Sequence, residues 1–137
     1  MIRTKKSGRI YWIILIGVIF FILIGLFVFF RSNEDTWTLD SQGVYVKHGN
    51  PAVIPAKVLE QQEALFCADN KYRIAQDDRL EFNSQCLGRC GNYSVDIVHV
   101  PRTADDDLSQ NQCEDYKNQV TSHFIELNNK GIIVRVV

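Results

Sequence analysis

Twenty-one consecutive residues, 10–30, carry no charge; nineteen are apolar and the other two are Gly17 and Gly25. At ~1.5 Å rise per residue, a helix of this length matches the ~30 Å hydrocarbon core of a bilayer. A soluble helix keeps a polar face, and this run has none. Tyr11 and Trp12 stand at its start, where amphipathic rings favour the membrane interface. The run predicts a transmembrane helix whose partner is the lipid bilayer. It divides the chain into a basic tail over 1–9, a signal-anchor helix over 10–31 and a domain over 32–137.

The flanking charges predict the orientation. Arg3, Lys5, Lys6 and Arg9 precede the run, and Arg31 alone follows before Glu34 and Asp35. Cations collect on the cytoplasmic side, so the N-terminus is expected there and the domain outside the cytoplasm, as in a single-pass protein of the cell membrane. A cleaved signal peptide has a shorter apolar stretch ending at small residues. Here the run ends in Phe29-Phe30-Arg31, which predicts an uncleaved anchor. The leader Lys5-Lys6-Ser7-Gly8 superficially resembles that of prepilins, which implies a pilin-like filament subunit as an alternative. The glutamate that family has five residues after the cut is Ile13 here.

The overall net charge of −1 hides an asymmetry: the domain over 32–137 holds ten basic and sixteen acidic residues, a net −6. Phosphate recognition needs concentrated cations, so nucleic acid is not an expected partner. All four cysteines, Cys67, Cys86, Cys90 and Cys113, lie in this domain. An even count outside the cytoplasm predicts two disulfides. Three pairings are open. A local Cys86–Cys90 bridge through Gly88 would leave Cys67 to join Cys113. Zinc sites pair ligands at C-x2–4-C twice, and only one such pair is present, so no metal is expected. Thiol–disulfide chemistry at Cys86 and Cys90 is a further reading, although redox pairs favour the shorter C-x-x-C at a helix start.

Along the domain, residues 36–39 and 44–47 flank the turn Asp40-Ser41-Gln42-Gly43 and predict a hairpin. Pro55 opens an amphipathic helix to about Phe66, with Val58, Leu59, Leu65 and Phe66 inward, Gln62 the polar exception, and Glu60, Gln61 and Glu63 outward. Residues 72–82 suggest a second hairpin, and 83–91 a polar loop bearing cysteines. Residues 93–100 form the clearest strand, apolar on both faces as in a central strand. Ser109 and Gln112 match a capping box, and Cys113, Tyr116, Val120, Phe124 and Leu127 then lie at helical spacing. Residues 132–137 read as a last strand. The class is therefore α+β: an N-terminal transmembrane helix, then a small mixed sheet with two helices packed on one face. The strands over 93–100 and 132–137 are expected to be parallel neighbours.

No nucleophile elbow, phosphate loop or zincin helix is present, so neither an enzyme nor a cofactor is expected. His48, His99 and His123 lack metal-pair spacing. Asp105-Asp106-Asp107 fails the calcium-loop template and is expected to be a solvated run ahead of a helix. Asn92-Tyr93-Ser94 is a glycosylation sequon that abuts the central strand, so Asn92 is either a glycan site or part of the fold. The functional expectation is a membrane-anchored domain outside the cytoplasm that binds a protein partner or a second copy of itself.

Overall fold

The computed structural model describes residues 5–31 and 35–137. Arg3 and the short exit over 32–34 lie outside the described residues. The chain forms two compact bodies, one of 1–36 with 47–52 and one of 37–46 with 53–137.

The first body is dominated by α1 (Lys5–Arg31). Its stretch Ile10–Phe30 has a mean hydropathy of 3.3 and none of it is buried, so it is long and apolar enough to span a membrane. In the same body, Asp35 Oδ1 accepts the Asn50 backbone N–H at 2.9 Å.

The hairpin expected around Asp40 is present as β1 (Thr36–Leu39) and β2 (Tyr45–His48), a two-stranded sheet of its own. Asp40 Oδ1 accepts the N–H groups of Gln42 and Val44, which closes the turn. In the second body, Gln42 donates its side-chain amide to the Ile133 carbonyl and accepts the Val136 N–H. Gly43, at φ 83°, lies so close to the Val136 carbonyl that a Cβ would collide with it. The turn thus covers the outer edge of the last strand, which would otherwise offer free backbone groups.

The core of the second body is a four-stranded mixed sheet in the order β3 (Gln85–Cys90), β4 (Tyr93–Ile97), β5 (His123–Leu127), β6 (Ile133–Val136). β4 and β5 are parallel; the other pairs are antiparallel. Side chains alternate across the sheet. Tyr93, Val95, Ile97, Ile125 and Leu127 face α2 (Ala56–Asp77), packing with Ala64, Ala68 and Tyr72. Asp96, Phe124 and Glu126 face the other way, toward the crossover over 98–122, which holds a 3-10 turn (Ala104–Asp107) and the one-turn helix α3 (Glu114–Lys117). The α+β class with helices on a mixed sheet stands, but the two helices lie on opposite faces rather than one.

Four local expectations are corrected. The first helix does not stop at Phe66 but runs to Asp77, because Ala68 and Tyr72 continue its buried face and Asp69 pairs with Arg73 one turn on; there is no second hairpin over 72–82. The helix is also rotated from the expected phase. Gln61 is buried and Phe66 exposed, since the Gln61 amide donates to the Gly43 carbonyl and accepts the Tyr45 N–H. The loop expected over 83–91 contains β3. The helix expected from Ser109 is reduced to the single turn Glu114–Lys117; Gln119 takes φ 57°, and residues 123–127 form β5, the parallel partner of β4, while the last strand is antiparallel to β5.

Candidate functional site

The cysteines organise the domain around β3. Residues four apart on a regular strand share a face, so Cys86 and Cys90 would point the same way. A β-bulge intervenes: Cys86 pairs with Asp96 but Gly88 pairs with Val95, one residue out of step. Gly88 supplies the φ of 103° that this bulge uses. The bulge inverts the alternation, so Cys90 faces α2 and bonds Cys67, while Cys86 faces the crossover and bonds Cys113. Each bridge fastens one covering layer to the sheet. The local Cys86–Cys90 pair, and with it Cys67–Cys113, is thereby corrected, and so is any redox role in which Cys86 and Cys90 are each other's partners.

The two bridges have different surroundings. Cys67–Cys90 lies within the apolar cluster of Ala64, Ala68, Tyr93 and Val95. Cys86 is exposed, and its partner Cys113 is only 1% exposed. The Gly88 N–H donates to Cys86 Sγ at 3.1 Å, and Cys113 Sγ lies 3.4 Å from the Val95 carbonyl oxygen. The Cys86 and Cys113 sulfurs and an Asp96 carboxylate oxygen all fall within 4.8 Å of one another. Three such groups could hold a metal ion, but both sulfurs are joined in the disulfide and neither is a thiolate ligand.

Asp96 lines a cavity of about 190 Å³ together with Ser84, Arg102, Tyr116, Phe124 and Glu126 among others. Burial pushes its pKa up to about 6, and Glu126 adds to the rise; the Cys113 backbone N–H and Arg102 oppose it. Its Oδ1 is buried and makes no hydrogen bond. The neighbouring charges are matched among themselves. Glu126 Oε1 accepts from Arg102 at 2.7 Å and from Arg135 at 3.0 Å. Arg102 also pairs with Asp107 at 2.9 Å, and Arg135 lies over the Phe124 ring. Asp96 is therefore the group in this layer whose charge is least compensated. Periodicity could place it on the inner side of a central strand, but not beside a disulfide.

The acidic run is not a solvated loop throughout. Asp106 is 3% exposed and accepts the N–H groups of His99 and Thr103, the Thr103 hydroxyl and the His99 ring. Burial alone would raise its pKa; those donors outweigh it and hold the carboxyl down at about 2. Thr103 and Asp106, not Ser109 and Gln112, form the capping box. The histidines do not converge: His48 is exposed at the end of β2, His99 bonds Asp106, and His123 stacks on Tyr93.

Asn92 is engaged in the fold. Its Oδ1 accepts the Ser122 N–H at 3.0 Å, and the sequon's Ser94 is fully buried, its hydroxyl 2.7 Å from that of Thr121. Replacing Asn92 by alanine removes the bond that ties the start of β5 to the turn before β4. The expected loss is about 1 kcal/mol, read as a fall of about 5 °C in melting temperature for a domain of this size.

These features define a small α+β domain, stapled on both faces of its sheet by disulfides and preceded by one long apolar helix. Comparison with protein-family models, curated proteins and solved structures finds no match for the chain.

Proposed function

We propose that the chain is a single-pass membrane protein with a cytoplasmic N-terminus, whose domain over 32–137 lies outside the cytoplasm and binds another protein as a subunit of a membrane or envelope complex. The outward face of α2 carries the reading. Leu59, Phe66 and Ile74 are 44%, 70% and 61% exposed, and steps of seven and eight residues keep them on one side of the helix. The buried residues Val58, Gln61, Ala64, Ala68 and Tyr72 occupy the opposite side. Apolar groups aligned on a water-facing helix mark a surface that a partner covers. The orientation rests on the four cations before Ile10, and two disulfides agree with an oxidising compartment.

A photo-crosslinking residue at Phe66 in the full-length membrane protein is expected to give a discrete adduct in cells, and one at exposed Lys130 none. Phe66→Glu is expected to abolish assembly while leaving the melting temperature within a few degrees. A monomer without adduct at Phe66 would sink the reading. For topology, protease added to intact cells is expected to remove a C-terminal tag and spare an N-terminal one; the reverse pattern would refute the orientation.

A further inference from the structure

We infer that the Cys86–Cys113 bridge is an exchangeable disulfide that oxidises a thiol pair on a partner protein, with Cys86 the sulfur attacked and Asp96 the proton donor to Cys113. The inference goes beyond protein binding; its groove shares Ile74 with the outward face of α2, but not Leu59 or Phe66.

Four observations converge on Cys86 and Cys113 and not on the other bridge. Cys86 is the exposed member, open to an incoming thiolate, while Cys113 is buried. The Gly88 N–H already points at Cys86 Sγ, and the Lys71 ammonium lies over Gly88, where a Cβ would come within 3.2 Å of Nζ. An amide donor and a nearby cation favour a thiolate, so Cys86 is the better leaving group when a mixed disulfide is resolved. Buried Cys113 is suited to the thiol form: the Val95 carbonyl oxygen lies 3.4 Å from its sulfur, and an Asp96 carboxylate oxygen lies within 4.8 Å, from where a small side-chain rotation lets the carboxyl supply the proton. Burial and Glu126 hold Asp96 protonated up to about pH 6, against the Cys113 backbone N–H and Arg102, so it can act as an acid in mildly acidic solution. Finally, Cys86 borders an open groove of about 300 Å³ lined by Lys71, Ile74, Ala75, Asp78, Leu80 and Leu87. Such a groove takes an extended peptide with apolar residues beside its cysteine.

A thiolate of the partner attacks Cys86 Sγ, forming a mixed disulfide. The Cys86–Cys113 bond breaks, and its electron pair leaves on Cys113 Sγ, which takes the Asp96 proton. The partner's second thiol returns a proton to Asp96 and attacks its own sulfur in the mixed disulfide. Cys86 then leaves as a thiolate that accepts the Gly88 N–H. The partner's two thiols are oxidised to a disulfide, and Cys86 and Cys113 are reduced. A disulfide-bearing acceptor protein restores them by the reverse exchange. Cys67–Cys90 takes no part.

The test uses the full chain in mild detergent, equilibrated with reduced glutathione, quenched with an alkylating reagent and mapped by mass. Expected is selective reduction of Cys86–Cys113, at least tenfold faster than Cys67–Cys90 and without loss of the near-ultraviolet circular dichroism of the fold. The mixed disulfide with glutathione should form on Cys86 and not on Cys113. Asp96→Asn should slow exchange about tenfold at pH 6 and below and remove the inflection near pH 6 from the rate profile, an effect that mere stabilisation of the fold would not produce. In Cys113→Ser, Cys86 should react with a chromogenic aromatic disulfide faster than an exposed cysteine engineered at Lys130. Reduction of both bridges together, or of Cys86–Cys113 only on unfolding, would overturn the proposal. So would a pH profile unchanged in Asp96→Asn.

Discussion

Replacing Cys67 and Cys90 together by alanine is expected to lower the stability of the domain by about 3 kcal/mol and its melting temperature by about 15 °C. The bridge spans a sequence separation of 23 residues. Closing a loop of that length removes disorder from the unfolded chain worth about 3 kcal/mol in the chain-entropy account. Alanine preserves an apolar side chain at both sites, so the loss reflects the cross-link more than a new polar group in the core. The Cys86–Cys113 separation, 27 residues, is nearly the same, so chain entropy alone gives the two bridges equal value. Their surroundings separate them: Cys90 is buried among Ala68, Tyr93 and Val95 with Cys67 half-buried beside it, whereas Cys86 is exposed. A thermal melt of the full chain in detergent, with the remaining bridge confirmed by non-reducing peptide mapping, checks the value. A fall of less than about 5 °C would show that packing alone holds α2 to the sheet.

The residues that follow a simple period were readable from the sequence. The apolar helix, the hairpin around Asp40, β4 and the last strand stand where hydropathy and turn residues put them. The failures have a common physical origin, a tertiary contact that overrules local pattern. Val120, Phe124 and Leu127 lie at helical spacing, yet the open edge of β4 draws His123–Leu127 into a parallel strand, where Ile125 and Leu127 become fully buried. Gln61 reads as a solvent-facing residue until the Gly43–Tyr45 backbone supplies partners for both ends of its amide. The disulfide pairing turned on one inserted residue. Gly88 between two cysteines suggested a local bridge, whereas its positive φ serves the bulge that sends Cys86 and Cys90 to opposite faces. Nothing at the level of spacing distinguishes those two uses of a glycine. The site beside Asp96 was hidden for the same reason, since it exists only after the bulge has turned Cys86 toward the crossover.

Replacing Asp96 by asparagine is expected to stabilise the domain at pH 8 by about 2 kcal/mol, a rise of about 10 °C in melting temperature, and to change little at pH 3.5. The sign follows from the direction of the shift. Burial raises the folded-state pKa of Asp96 to about 6 from an ordinary 3.8. Below the unfolded value both states carry the proton and the group costs nothing. As pH rises from there through 6, the unfolded chain releases its proton first, and the folded state is left holding a carboxylate whose Oδ1 has no hydrogen-bond donor. Each pKa unit is worth ~1.4 kcal/mol, and partial contact with solvent reduces the full shift to about 2 kcal/mol. Asparagine is neutral at every pH and similar in shape, so its gain grows over the same interval. Melts at pH 3.5, 5, 6 and 8 check the curve. A gain of equal size at all four would mean that packing is responsible, and a loss at pH 8 would mean that Arg102 stabilises the Asp96 charge more than burial opposes it. Removing the carboxylate therefore strengthens the fold where Asp96 is ionised, and slows exchange near pH 6 and below, where Asp96 carries the proton it donates. Opposite effects of one substitution on stability and on exchange are what a functional carboxylate held at a cost to the fold produces. A carboxylate serving only the fold would lower stability when lost and leave the Cys86–Cys113 exchange rate where it was.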